Sequence, residues 1–308
     1  MIRKKISILS LIIFVFLGTR GQEVKDTSFE KSLFWSISGK GLKDTSYLFG
    51  TAHPIFEEDI HFADTMLHIL WKCKTVYFED TVTNKDSLWL SYNLMNKPRL
   101  HNLLGNTCYN KLLQVLRKLG DAITNDPLFP TITPQYIEDR LFKDFFGDRL
   151  TTIDEILLTV SMGNGQQIYK LDDGRVMEKK AELESYDQQA SQLCSLIDEF
   201  DKNVDKFEKY IKAMTVKYNV GDIGFIYTRT NFLKVNVNLH PIFIVRQQGA
   251  EEMLDLRNKN WLPKIVDACN SQSCFFAFGV THLAGKKGII SLLRKRGYTV
   301  TPIFLNKK

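Results

Sequence analysis

A chain of 308 residues with 44% hydrophobic, 12% aromatic and 25% charged side chains can bury a sizeable core, which excludes a disordered or fibrous protein. The formal net charge is +6, but residues 1–21 hold Arg3, Lys4, Lys5 and Arg20 and no acidic residue. The remainder therefore carries only +2, and this excludes a strongly basic surface for nucleic acid.

Residues 1–21 read as a signal peptide: a basic start, an apolar run from Ile6 to Leu17, then small residues up to Gly21. The run is shorter than the ~20 residues that cross a bilayer, so no stable membrane span is expected once it is cleaved. Export to a periplasmic or extracellular compartment follows as an expectation, with residues 22–308 as one domain. Five cysteines are an odd number for an oxidising compartment. Cys269 and Cys274 are close enough to bridge a loop ahead of a strand, with free thiols the equal alternative. Cys73 reads as a buried thiol.

Leu33 to Gly39 and Thr45 to Phe49 are rich in strand-favouring residues and flank a Gly-Lys-Gly-Leu-Lys-Asp turn, which predicts a hairpin. It delivers the chain to Gly50 and His53, and Pro54 denies His53 a helical backbone. Phe62 to Trp71 has helical spacing, and Thr75 to Glu79 is a strand by composition. From about 86 to 220 the pattern is mainly helical: Asn110 to Leu119 stopped by Gly120, a helix opened by Thr133-Pro134, an apolar stretch Thr152 to Val160, a long amphipathic helix Val176 to Phe200, and Val204 to Tyr218. Gln166 to Leu171 suits a short strand. Ala250 to Ala268 reads as a helix that Pro263 kinks or restarts. A strand Phe275 to Phe278, a helix Gly288 to Arg296 and a strand Tyr298 to Phe304 close the chain. The fold class is α/β: a central mixed sheet built from N- and C-terminal strands, with the helical middle region packed on it.

Two stretches repeat one pattern. Tyr47-Leu48-Phe49-Gly50-Thr51-Ala52-His53 and Phe276-Ala277-Phe278-Gly279-Val280-Thr281-His282 are each a strand-like run, a glycine, and a histidine three residues on. With Glu79 at the end of a third strand, these groups are expected on one rim of the sheet, where open α/β sheets bind ligands. Two imidazoles and a carboxylate are a ligand set for a divalent metal such as Mn, Co or Zn, with Gly50 and Gly279 shaping the turns. Such a centre hydrolyses carbonyl compounds without a nucleophilic side chain. Each residue taken singly has a plainer reading: a strand-end histidine in a hydrogen bond, a surface-paired Glu79, a surface Arg257, a helix-capping Asp154. His61, His68, His101 and His240 lack a ligand-like companion pattern. Ser36 and Ser161 lack the Gly-x-Ser-x-Gly elbow, which argues against a serine hydrolase of that type.

Phe49-Gly50-Thr51-Ala52-His53, the strand ending in Glu79, Arg257-Asn258-Lys259-Asn260-Trp261, and the run from Gly279 to Gly285 with Leu292 to Tyr298 together resemble the TraB/PrgY/GumN family, which includes the TIKI proteases. The resemblance implies a TIKI-like fold and metal-dependent peptidase activity. It places His53, Glu79 and His282 at the metal and in catalysis, and Arg257 and Asn258 on the substrate side. The substrate would be a peptide or another small carbonyl compound. Non-catalytic binding of a peptide signal, haem or metal is the alternative. The family's Gly-Ile-Asp is reduced here to Thr152-Ile153-Asp154, and its Gly-Leu-Glu-Thr to Lys170-Leu171-Asp172-Asp173.

Overall fold

The computed structural model describes residues 29–52, 54–80, 94–95, 99–172, 185–227 and 241–305, with the backbone alone for 241–253. The expected leader, His53, His240 and the start of the helix expected from Val176 lie outside the described residues.

The hairpin forms as expected. Strands β1 (Phe34–Ser38) and β2 (Ser46–Thr51) pair antiparallel, and the turn between them places Gly39, Lys40 and Gly41 at positive φ. A short strand β3 (Ile55–Phe56) follows, then helix α1 (Asp64–Lys72) and strand β4 (Thr75–Phe78). The middle region contains α2 (Leu100–Leu119), α3 (Pro134–Phe146), β5 (Leu150–Thr151), α4 (Ile153–Gly163), β6 (Gln167–Lys170), α5 (Tyr186–Asp198), α6 (Phe200–Asn219) and α7 (Ile223–Tyr227). Its helix ends follow local chemistry: Gly120 stops α2 in the left-handed conformation, and the Thr133 and Thr152 hydroxyls accept the N–H groups of Tyr136 and Glu155. Ser185 and Gln188 cap the start of α5 reciprocally.

Helix α8 (Pro241–Ser271) begins earlier than its apolar spacing predicts and runs through Pro263. Strand β7 (Cys274–Gly279), α9 (Ile289–Lys295) and β8 (Thr299–Ile303) complete the chain. The main sheet has the order β6-β4-β7-β2-β1-β8. Its first four strands are mutually parallel, whereas β1 is antiparallel to both β2 and β8. Every residue of β7 is buried, as expected of a central strand covered on both faces.

Two hydrophobic clusters divide the interior. One lies around the sheet, with Trp35, Phe275, Phe276, Phe278 and Trp261 among its fully buried side chains. The other lies within the helical middle, around Leu112, Leu116, Leu141, Leu193 and Val204. A disulfide joins Cys108 of α2 to Cys194 of α5 inside the second cluster. Of the two readings left open for Cys269 and Cys274, the structure has the free thiols: both are buried, α8 continues to Ser271, and Cys269 belongs to that helix, not to a loop. Cys73 is a buried thiol, as its apolar surroundings suggested.

Candidate functional site

Parallel pairing of β2 with β7 sets Gly50 beside Phe278 and Thr51 beside Gly279, so the two repeated motifs leave the sheet side by side. The contact continues past the strands. A Cβ on Gly50 would stand 2.7 Å from Cδ1 of Leu283 and 3.1 Å from Cα of Val280. The first motif is also held from outside the sheet, with the buried Tyr218 hydroxyl donating to Gly50 O at 2.7 Å and Ile153 N–H to Ala52 O at 3.1 Å. Burial pushes the Tyr218 phenol well above its ordinary pKa, and the nearby Asp154 adds to that, so the phenol stays a donor.

Glu79 follows β4 and points its carboxylate along this rim. Its Oε1 accepts the Gly279 N–H at 2.7 Å and lies 3.5 Å from His282 Nε2. Gly279 has φ −49°, a conformation open to any residue, and its N–H is the group that binds Glu79. His282 ends the short turn Val280–His282 and is 3% exposed.

The imidazole is oriented by its neighbours. Asn258 donates from Nδ2 to the carbonyls of Lys287 (2.9 Å) and His282 (3.5 Å), which leaves Oδ1 as the atom 2.7 Å from His282 Nδ1. A carbonyl oxygen cannot donate, so Nδ1 carries a proton, and in the neutral form the lone pair of His282 is on Nε2. The Trp261 ring packs against the imidazole at 4.3 Å between centroids.

Arg257, on the same face of α8 as Trp261, binds two carboxylates at once. Nη2 donates to Glu79 Oε2 at 2.5 Å and to Asp172 Oδ2 at 2.7 Å, Nε donates to Asp172 Oδ1 at 3.1 Å, and Nη1 lies 3.4 Å from His282 Nε2. Burial opposes the guanidinium charge, and the Glu79 and Asp172 carboxylates outweigh it, raising the Arg257 pKa. Asp172 is raised above the usual carboxylate range because burial exceeds the lowering effect of Arg257. With both carboxylates ionised, one guanidinium faces two anions, leaving the cluster one negative charge in excess.

The structure thus brings Glu79, His282, Arg257 and Asn258 together with the Gly50 and Gly279 turns. Asn258 is 2% exposed and all its polar contacts are internal. Asp172 and Trp261 join the cluster without having been singled out as site residues. The available signal was a carboxylate directly after a strand on the same rim, and an indole one helical turn beyond Arg257.

Among the described residues no group of three His, Cys, Asp or Glu side chains converges to hold a metal ion. Ligands of a tetrahedral ion at about 2.1 Å stand about 3.4 Å apart, comparable with the 3.5 Å between Glu79 Oε1 and His282 Nε2, and the Arg257 guanidinium lies against both of these side chains.

The sequence profile of the TraB/PrgY/gumN family matches residues 33–302. No curated protein and no solved structure matches the chain.

Proposed function

Since the chain belongs to the TraB/PrgY/gumN family, we propose that it is an exported, metal-dependent hydrolase of TIKI-like type acting on a peptide or another small carbonyl substrate. The observation that carries this reading is the convergence of Glu79 Oε1 and the Nε2 lone pair of His282, 3.5 Å apart, where the two motif segments leave the sheet. His53, Glu79 and His282 would hold a divalent ion such as Mn, Co or Zn. When bound, the ion supplies polarisation of a carbonyl and a more acidic water.

The chain's own residues have definable tasks. His282 accepts at Nε2 while Asn258 keeps the proton on Nδ1. Glu79 holds negative charge at the rim, fixed by the Gly279 N–H and by Arg257. Arg257, with a fifth of its side chain exposed, would offer positive charge to a substrate's developing negative charge, and Asn258 acts through His282. The Cys108–Cys194 disulfide supports the export reading, since such bridges persist in oxidising compartments.

The test is to purify the mature chain, measure bound metal, and assay peptide cleavage with Mn, Co and Zn for wild type, His53→Ala and His282→Ala. Loss of both metal and cleavage in the two variants is expected. Equal metal content and equal activity in all three proteins would end this reading, and metal binding without turnover would favour a binding protein.

A further inference from the structure

We propose that Asp172 is a positioning residue of the site, holding Arg257 across Glu79 and Trp261 against His282 and acting on the reacting groups only through them. It follows β6 at the same rim where Glu79 follows β4, and the two segments are tied by Asp172 N–H donating to Glu79 O at 2.8 Å. Its carboxylate is nine-tenths buried and is spent inward: Oδ1 accepts from Arg257 Nε (3.1 Å) and Trp261 Nε1 (2.7 Å), and Oδ2 accepts from Arg257 Nη2 (2.7 Å).

Two consequences follow from this geometry. The guanidinium is planar, so fixing Nε and Nη2 on one carboxylate fixes where Nη1 lies, and Nη1 is the nitrogen 3.4 Å from His282 Nε2. The indole is likewise fixed at its Nε1 end, while its ring meets His282 at 4.3 Å and Arg257 at 4.5 Å.

The proposal rests on the hydrolytic reading for its kinetic arm alone, because the geometry has its own readout. Wild type, Asp172→Asn and Asp172→Glu are compared by ¹⁵N NMR of the Arg257 Nε–H and Trp261 Nε1–H groups, by circular dichroism, and by kcat and KM for peptide cleavage. In Asp172→Asn both resonances shift and exchange faster with solvent, and kcat falls about 10- to 100-fold with KM within about twofold, as for other outer-shell partners. Asp172→Glu keeps the charge and restores most of kcat, and it is the informative variant if the asparagine form does not fold. Unmoved resonances in Asp172→Asn, or moved resonances with unchanged kcat, overturn the proposal. Absence of cleavage in wild type overturns the hydrolase reading instead, and the two resonances then decide the role of Asp172.

Discussion

Gly50 and Val280, 230 residues apart in sequence, are in contact across the rim of the sheet: a Cβ at position 50 would lie 3.1 Å from both Cα and Cβ of Val280. The backbone of one motif is thus the packing surface of the other.

Gly50→Ala is expected to destabilise the protein by about 1–3 kcal/mol, the usual range for overpacking. The Leu283 methyl, 2.7 Å from the added carbon, can rotate away, but the Val280 backbone must shift and carry His282 with it. Thermal unfolding followed by circular dichroism measures the loss. An unchanged midpoint would show that the two motif turns do not bear on each other.

Asn258→Ala removes the acceptor of His282 Nδ1–H and the donor to Lys287 O. The imidazole loses its fixed tautomer, and affinity for Co²⁺ is expected to fall about 10- to 100-fold. Titration with Co²⁺ alone reads this directly, and an unaltered affinity would separate Asn258 from the ligand-presenting role.

The helical middle contains a carboxyl pair with a pH signature. Arg140 donates to Asp121 at 2.6 and 2.8 Å, and Asp144 stands 3.6 Å from the same guanidinium. Burial, reinforced by Asp121, pushes Asp144 up to about 7 from an ordinary 3.8. A raised carboxyl binds its proton more tightly folded than unfolded, so its ionisation opposes folding. Its effect on stability is therefore absent below about pH 4, grows more unfavourable up to about pH 7 and is constant above that. Asp121 is lowered because Arg140 prevails over burial, and it acts in the opposite sense only below its unfolded value near 3.8. Urea midpoints between pH 5 and 8 should fall more steeply for wild type than for Asp144→Asn. Parallel curves would remove Asp144 from the account.

Replacing Cys108 and Cys194 together by serine is expected to cost about 2–5 kcal/mol, since the bridge closes a long loop between α2 and α5. The measurement is the unfolding midpoint of the double variant and of wild type with and without reductant. Equal midpoints would mean that packing around Leu112 and Leu193 alone holds these helices together.

The parts of the fold that depend on local pattern were legible. The hairpin, the Thr133-Pro134 helix start, the Gly120 stop and strand β6 each announce themselves within a few residues. Glu79 and the repeated glycine motifs were legible because strand ends in a parallel sheet converge on one side. What sequence could not supply was pairing at a distance. The Cys108–Cys194 bridge spans 86 positions with nothing local to select it over Cys269–Cys274. Asp172 shows its importance only through Arg257, 85 positions away. Asn258 looks like a polar helix residue until the loop holding His282 and Lys287 is folded over it.

The interleaving of the sheet has a consequence for how the protein is made. Strand β7 lies between β4 and β2, and β8 flanks β1, so the early strands have no complete set of neighbours until the strands from Cys274 onward have been made. A nascent chain carries Gly50 and Glu79 for most of its synthesis but lacks His282, Arg257 and the central strand that brings them together. Topology alone keeps the site unassembled until the segment from Cys274 to His282 has been made.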